Sequence, residues 1–187
     1  MKTAEKGKLG FRPLTESDIP TLNEIRNECA EEYLHDSRTF TVEQSLEWFR
    51  TTKPDFWAIT LGVQMIGYFR ISNYSKVNRN LYVGADLHKD WRGRGLAYKA
   101  YLIFIPFILE KYELHKITLE VLATNTRALN LYKKLGFAEE GAKREEVLKK
   151  GKYVDSIVMS VLHDEWFSKN EPSSSEKGGK TSNDRTV

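Results

Sequence analysis

Apolar and polar residues follow two different spacings along this chain, and the spacing predicts where the secondary structure lies. Alternation with a period of two predicts strands at residues 9–14, 56–61, 65–71, 81–87, 115–122, 137–147 and 153–162. Apolar residues at helical spacing predict helices at residues 19–33, 41–49, 96–112 and 127–135. The resulting order, β-α-α-β-β-β-α-β-α-β-β, predicts an α/β protein with one mixed sheet in a single domain.

Local signals predict where several of these elements begin and end. Thr41 and Gln44 have the three-residue spacing of a capping box, which predicts a helix start. Gly136 follows the last helical residue and predicts a left-handed helix end. Pro106 predicts a kink or a division of the third helix. Turn-forming residues predict the connections between strands at Gly62, at 73–79 and at 149–152.

The composition is that of a globular domain with polar ends. The chain has 187 residues, of which 40% are hydrophobic, so it is long enough for a core without disulfides or metals. Residues 1–8 predict a flexible N-terminus, and residues 9–167 predict the folded domain. Residues 168–187 are dominated by serine, glycine, lysine and glutamate and predict a disordered polar tail.

Charge and cysteine content exclude several classes of protein. A net charge of +3 is too small to indicate a nucleic-acid partner, and no apolar run is long enough to span a membrane. The single cysteine, Cys29, excludes a disulfide framework and is expected to be a core residue rather than a nucleophile. No set of His, Cys, Asp and Glu has metal-ligand spacing. We therefore expect a soluble, cytoplasmic protein without a metal.

The junction between the strand at 81–87 and the helix at 96–112 carries the sequence Trp-Arg-Gly-Arg-Gly-Leu-Ala, at 91–97. The first N–H groups of a helix have no intrahelical partner, and the helix dipole adds positive potential there. Glycine allows a phosphate to approach the backbone closely. The junction therefore predicts an anion site, although an ordinary glycine-rich loop with two exposed arginines has the same composition.

Two motifs resemble those of one enzyme family. The pattern Arg-x-x-Gly-x-Ala at 92–97 resembles the coenzyme A pyrophosphate loop of the GNAT superfamily of acetyl-CoA-dependent N-acetyltransferases. The pattern Asn-x-x-Ala-x-x-x-Tyr-x-x-x-Gly-Phe at 125–137 resembles the second signature of that superfamily. The resemblance implies a mixed, mostly antiparallel twisted sheet that is flanked by helices, with a splayed central strand pair at the coenzyme A site.

The resemblance also implies roles for individual residues. The pyrophosphate would bind along the loop residues Arg92, Gly93, Arg94, Gly95, Leu96 and Ala97. Backbone groups of Ala85 and Leu87, together with Asn125 and Asn130, would contact the pantetheine arm or the thioester. Tyr132 would place its hydroxyl near the thioester sulfur. Glu120 occupies the position of a strand glutamate in relatives that acetylate protein N-termini.

The chemistry of amine acetylation gives independent reasons for these candidates. A protonated amine cannot attack a thioester, so Glu120, Asp86 or a water relay must accept a proton. The leaving thiolate needs a proton donor, and the Tyr132 phenol is the candidate. Each residue also has a purely structural interpretation: Tyr132 as a core aromatic, Glu120 as a solvated strand residue, and Asn125 as a helix cap.

We therefore interpret the chain as an N-acetyltransferase that uses acetyl-CoA as co-substrate. The segment at 143–155 looks like the end of relatives that modify amino sugars or protein N-termini. The expected acceptor is a small primary amine, such as an amino sugar, free or linked to a nucleotide. The alternatives are a protein α-amine and an acyl-CoA-binding module without turnover. A homodimer is a candidate assembly.

Overall fold

The structure is a computed structural model that describes residues 7–170. Most of the predicted flexible N-terminus and of the predicted polar tail lies outside the described residues. The strands are β1 Leu9–Pro13, β2 Phe56–Leu61, β3 Gln64–Ser75, β4 Asn80–Leu87, β5 Lys116–Leu122, β6 Ala138–Lys149 and β7 Lys152–Leu162. The α-helices are α1 Ile19–Ala30, α2 Val42–Thr52, α3 Leu96–Lys111, α4 Thr126–Leu135 and α5 His163–Asn170. Short 3₁₀ turns occur at Glu16–Asp18 and Lys89–Trp91.

The strands form one sheet in the order β1-β2-β3-β4-β5-β7-β6. Every neighbouring pair is antiparallel except β4 and β5, which are parallel. These two strands pair only from Asn80 to Tyr82 on β4 and from Lys116 to Thr118 on β5. Beyond those residues they diverge, and the remaining length of each strand borders an open cleft. The predicted splayed central strand pair is therefore confirmed.

Both faces of the sheet are covered by helices, which explains why β3 has consecutive buried residues. Phe69 packs on the α3 side, where its ring stacks on Phe104 at a centroid distance of 3.9 Å. Tyr68 belongs to a second apolar cluster with α1 residues such as Leu22 and Ile25. A strand that is buried on both faces loses the simple alternation of a surface strand. The sheet is thus the middle layer, and the cleft between β4 and β5 lies within this layer.

The predicted helix ends are confirmed where the signal is local. Thr41 Oγ1 accepts from Gln44 N at 3.2 Å and Thr41 N donates to Gln44 Oε1 at 2.9 Å, which completes the capping box. Gly136 ends α4 with φ 103°. Gly62 adopts a positive φ, 61°, in the β2–β3 turn.

Three expectations about the elements differ from the structure. Of the kink or division expected at Pro106, the division does not occur and the kink stays a prediction: helix α3 is continuous, because its Phe104, Ile105 and Ile108 are buried against the sheet and this packing outweighs the lost hydrogen bond. Strand β3 extends to Ser75 and so takes up the start of the predicted connector, as its pairing with β4 continues beyond a register shift. Helix α5 runs to Asn170, three residues into the predicted tail, and is anchored by the buried Trp166. Within residues 7–170, no helix is both long enough and apolar enough to cross a membrane.

Candidate functional site

The loop between β4 and α3 adopts the conformation that its glycines permit. Gly93 and Gly95 have φ values of 80° and 72°, in the left-handed region that favours glycine. Gly95 is the N-cap of α3, and no atom lies within 4 Å of the position that a Cβ on it would occupy. The first turn of α3 therefore begins beside open space. This is the arrangement of an anion-binding helix N-terminus.

Arg92 turns inward and fastens this loop to its surroundings. Its Nε donates to the Leu87 carbonyl oxygen at 2.8 Å, and its Nη2 contacts the Cys29 Sγ at 3.1 Å. Its guanidinium also lies over the Tyr33 ring, 5.3 Å from the centroid. The Arg92 side chain therefore positions the loop against β4 and α1, and leaves the backbone of the loop to face the cavity.

The backbone of β4 presents donors to the cleft beside the loop. His88 N donates to Ile66 O, and hydrogen bonding alternates along an antiparallel pair. The N–H groups of Leu87 and Ala85 consequently face away from β3 and towards the side where β5 has diverged. These are the backbone groups to which the family resemblance assigns the pantetheine arm and the thioester.

A cavity of about 360 Å³ joins the loop, the cleft and α4. We call it the loop cavity. Ten of the thirteen predicted site residues line it: Ala85, Asp86, Leu87, Arg92, Gly93, Gly95, Leu96, Ala97, Asn125 and Tyr132. The other three predicted site residues, Arg94, Glu120 and Asn130, do not line it. Arg94 lies over the Trp91 ring at 5.0 Å, and Asn130 is exposed on α4.

Helix α4 carries Tyr132 to the inner end of the loop cavity. Asn125 caps the helix by accepting from Ala128 N at 3.1 Å, and Gly136 ends it in a left-handed conformation. Tyr132 is 7% exposed, and its hydroxyl oxygen lies 3.4 Å from that of Tyr101. Burial raises the pKa of Tyr132, so its phenol is protonated at neutral pH and can act as a proton donor.

Asp86 also lines the loop cavity, but it is already paired. The carboxylate is 8% exposed and accepts from the Arg70 guanidinium on β3. The Arg70 guanidinium therefore engages this carboxylate, which is not free in the cavity. The structure places Asp86 in the wall of the loop cavity together with Tyr132.

Glu120 belongs to a different group of side chains, which joins the three neighbouring strands β5, β7 and β6. It accepts from Lys143 Nζ on β6 at 2.6 Å and lies 3.9 Å from His35 Nε2. His35 Nε2 in turn lies 2.7 Å from Ser156 Oγ on β7. Burial lowers the pKa of His35 in spite of the nearby Glu120 carboxylate, so the imidazole is mainly neutral at pH 7. Glu120 and Tyr132 are thus not brought to the same cavity.

Several residues of the site were not predicted from the sequence. Tyr101 and Arg70 are separated from their partners by 31 and 16 residues, so only the fold reveals them. Arg127 lines the loop cavity, and its Nη2 lies 3.4 Å from the position of a Cβ on Gly93. A positive residue inside the second motif was the available signal for Arg127. Within residues 7–170, no group of three or more His, Cys, Asp and Glu side chains is placed to hold a metal ion.

Proteins of similar sequence were found among bacterial acetyltransferases. The chain is 26% identical over 102 residues to a putative ribosomal N-acetyltransferase of Bacillus subtilis, which covers 54% of this chain and 56% of that protein. It is 26% identical over 100 residues to the ribosomal protein uS5-alanine N-acetyltransferase of Escherichia coli, covering 51% and 52%. With a spermidine N(1)-acetyltransferase of Vibrio cholerae it shares 27% identity over 107 residues, covering 57% and 62%. The chain thus spans little more than half the length of the curated relatives it matches.

Solved structures extend the similarity in fold to nearly the whole domain. The spermidine N-acetyltransferase of Vibrio cholerae in complex with CoA and spermine superposes with a TM-score of 0.78 at 23% identity, covering 85% of this chain and 98% of that one. The putative acetyltransferase yncA of Salmonella typhimurium with its cofactor acetyl-CoA gives a TM-score of 0.71 at 18% identity, covering 83% of this chain and 94% of that one. The family described as the acetyltransferase (GNAT) domain matches residues 8–138, well over half of the sequence. The fold, with its splayed strands, agrees with this match. The chain therefore belongs to the GNAT acetyltransferase family.

Proposed function

We propose that this protein transfers the acetyl group of acetyl-CoA to the primary amine of a small molecule. The observation that carries the proposal is the loop cavity, where the α3 N-terminus, the free N–H groups of β4 and the Tyr132 hydroxyl converge. Membership of the GNAT family and the solved relatives with CoA or acetyl-CoA support the co-substrate. The loop residues suit this co-substrate, because the N-terminus of α3 offers an anion site beside the open space at Gly95.

In this proposal the loop backbone from Gly93 to Ala97 holds the pyrophosphate and Arg127 adds positive charge beside it. The N–H groups of Ala85 and Leu87 orient the pantetheine arm and donate to the thioester carbonyl oxygen, where negative charge develops during attack. The pantetheine arm lies along the diverging part of β4. Asn125 contributes as a cap that fixes the start of α4 at the cavity.

The reaction proceeds by direct attack in a ternary complex. The neutral amine nitrogen forms a bond to the thioester carbonyl carbon, and the carbon–sulfur bond breaks. The amine loses a proton through water to a carboxylate or to solvent, while the leaving thiolate takes a proton from Tyr132. Tyr132 is suited to this step because burial keeps its phenol protonated. No covalent enzyme intermediate is required.

We place amino sugars, free or nucleotide-linked, first among the acceptors. An amine with a pKa near 8 is neutral to a useful extent at physiological pH, whereas a lysine side chain has a pKa of about 10.4. Of the two candidate bases, Asp86 is engaged by Arg70 and Glu120 lies outside the loop cavity, so neither carboxylate is free in that cavity to take a proton from the more basic amine. The second candidate is a protein α-amine, with a pKa of about 7.7–8.0, which the similarity to the uS5-alanine enzyme favours.

The test is a coenzyme A release assay with hexosamines, nucleotide-linked amino sugars, spermidine, N-terminal peptides and N-α-blocked lysine peptides side by side. The proposal expects the highest kcat/KM for a small amine of low pKa. Highest activity with N-terminal peptides would favour the second candidate, and highest activity with the blocked lysine peptides would contradict both. If calorimetry shows that acetyl-CoA binds and no amine accelerates its turnover, the protein is an acyl-CoA-binding module.

A further inference from the structure

A second and larger cavity, of about 700 Å³, lies on the α1–α2 side of the sheet. It is bounded by α1, the segment 34–40, α2 and the strands β2 and β3. We call it the arginine cavity, because three of its lining residues are Arg26, Arg38 and Arg70. None of its lining residues is shared with the loop cavity.

The charge of the arginine cavity is positive. Among residues 7–170, Asp36 is the one carboxylate that lines it, and it pairs with Arg38 at 2.8 Å and with Arg26 at 3.4 Å. Arg70 pairs with Asp86, which lies on the side of the loop cavity. Because Asp86 neutralises Arg70, the other two guanidinium groups share Asp36, which leaves one positive charge in excess; Arg38 is 77% exposed with donors left for a ligand. Such a wall attracts phosphate or carboxylate and repels a polyamine.

Aromatic side chains form another part of the wall of the arginine cavity. The rings of Phe56 and Tyr68 stack at a centroid distance of 5.7 Å and an interplanar angle of 9°. Trp48 meets Phe56 edge to face at 5.3 Å. Aromatic faces bind the apolar faces of sugars and bases, while arginine binds the anionic groups that these molecules carry. The two kinds of wall together suit a small molecule that has both features.

The arginine cavity adjoins the site of the proposed chemistry. Arg70 lines one cavity and its partner Asp86 lines the other, so this ion pair forms their common wall. On α1, Arg26 faces the arginine cavity while Cys29, one turn later, lines the loop cavity. At the outer end, His35 lines the arginine cavity and contacts Ser156 on β7, beside the divergence of β4 and β5.

We infer that the arginine cavity binds the acceptor, and that this acceptor is a small primary amine carrying an anionic group, either phosphate or carboxylate. The inference rests on the proposed transferase function and narrows its substrate class. The arginines hold the anionic group, the aromatic rings hold the body of the molecule, and the amine is directed towards the shared wall. Spermidine, which is the substrate named for some relatives, has the opposite charge and is disfavoured.

The experiment compares paired acceptors that differ by one anionic group, with kcat/KM referred to the concentration of neutral amine, because the anionic group also raises the pKa of the amine. One pair is a hexosamine and its 6-phosphate; the other is an amino acid and its carboxamide; spermidine is the cationic arm. We expect kcat/KM to be at least tenfold higher for the anionic member of one pair than for its neutral member. The pair that shows this preference identifies the anion as phosphate or carboxylate. This preference should fall as salt is raised, because charge interactions at a partly exposed site are screened.

Variants of Arg38 test the assignment to this cavity. Arg38→Gln should reduce the ratio of anionic to neutral kcat/KM at least threefold, and Arg38→Glu at least tenfold. Arg50→Gln is the matched control, since Arg50 pairs with Glu16 on the surface and lines neither cavity, and it should leave the ratio unchanged. Calorimetric titration of the anionic amine into CoA-saturated protein should show at least tenfold weaker binding for Arg38→Glu.

The outcomes separate this inference from the proposed function. Turnover with a preference for the neutral member or for spermidine overturns the inference and leaves the transferase proposal standing. If acetyl-CoA binds and no amine is acetylated, the transferase proposal fails and the titration decides the inference. In that case, the inference is supported if the anionic amine binds the unchanged protein and binds Arg38→Glu more weakly. The inference is overturned if the anionic amine does not bind, or if it binds the unchanged protein and Arg38→Glu equally well.

Discussion

The hydroxyl oxygens of Tyr101 and Tyr132 lie 3.4 Å apart, and both rings are buried, at 1% and 7% exposure. Burial raises the pKa of Tyr132, whereas the hydrogen bond with Tyr101 opposes this rise because it stabilises the Tyr132 phenolate. The pair therefore keeps Tyr132 protonated at neutral pH and also stabilises the form that remains after it gives up its proton. A proton donor needs both properties.

The first prediction concerns this pair. Tyr132→Phe keeps the ring and removes the proton donor, so kcat should fall by about 10²–10⁴-fold while acetyl-CoA still binds in calorimetry. Tyr101→Phe removes the hydrogen bond that lowers the pKa of Tyr132. That pKa should then rise, and the alkaline limb of the kcat profile should move to higher pH. Normal turnover of Tyr132→Phe, with chemistry as the slow step, would make Tyr132 a core residue only.

The second prediction concerns Gly95. An aspartate there would occupy the open space beside the loop and place a negative charge where the pyrophosphate is proposed to bind. Acetyl-CoA affinity should fall more than tenfold in calorimetry. Gly151→Asp is the matched control, because Gly151 also has a positive φ, 76°, and open space around it, but lies in the β6–β7 turn. Equal affinities for both variants and the unchanged protein would remove the cofactor assignment.

How much of this site could be predicted depends on the distance between the interacting residues along the chain. The Thr41 capping box and the Gly136 helix end depend on neighbours within a few residues, and both were predicted correctly. The conformation of the loop before α3 was predictable for the same reason, since its two glycines lie just before the helix, whereas anion binding there stays a prediction. The family motifs implied that the Tyr132 hydroxyl lies near the thioester sulfur; this role stays a prediction, and the structure has Tyr132 in the wall of the cavity that the loop also lines.

Contacts between distant residues could not be predicted in this way. Glu120 pairs with Lys143, 23 residues away, because the two residues lie on β5 and β6, on either side of β7, at neighbouring register positions. The Arg70–Asp86 pair depends on the register of β3 against β4, and a spacing pattern does not specify that register. Tertiary packing likewise decided the continuity of α3 through Pro106.

A third prediction concerns the reactivity of Cys29. Burial raises the pKa of this thiol to about 12, and the nearby Asp86 carboxylate adds to the rise. Since thiolate is the reactive form, a disulfide reagent at pH 8 should label the native protein at less than about 1% of the rate in denaturant. In denaturant one thiol per chain should react, as the sequence has a single cysteine. Fast labelling of the native state would contradict this account.

A fourth prediction concerns the pH dependence of stability. Burial by itself would raise the pKa of Asp18, but hydrogen bonds from Arg12 and Thr15 outweigh it and hold the pKa at about 2. A carboxylate whose pKa is lower in the folded state stabilises the fold at pH values above its pKa in the unfolded state, which is about 3.9. This stabilisation is lost as the pH falls towards 2. Asp18→Asn should therefore lower the free energy of unfolding by about 1–2 kcal/mol at pH 7.

Urea unfolding at pH 7, 4 and 2.5 measures this difference for Asp18→Asn. The gap between the variant and the unchanged protein should shrink between pH 4 and 2.5. Asp164→Asn is a control, because Asp164 is nearly fully exposed, and it should change stability by less than about 0.5 kcal/mol. A gap for Asp18→Asn that stays constant over this range would exclude the Arg12 pair as its cause.

The last prediction compares the two carboxylates that the sequence offered as bases. Asp86 lies in the loop cavity and neutralises Arg70, so Asp86→Asn should lower stability by about 1–3 kcal/mol and kcat by more than tenfold. Glu120 lies outside that cavity and pairs with the half-exposed Lys143, so Glu120→Gln should cost less than about 1 kcal/mol and reduce kcat by less than tenfold.

A double-mutant cycle with Lys143→Met separates chemistry from positioning at Glu120. If Glu120 acts through its pair with Lys143, Glu120→Gln should cause no further loss of kcat in the Lys143→Met background. If it accepts the proton of the amine, the loss should persist in that background, and the acid limb of the kcat/KM profile should disappear. A larger effect of Glu120→Gln than of Asp86→Asn, measured well below both melting temperatures, would therefore assign the base to Glu120.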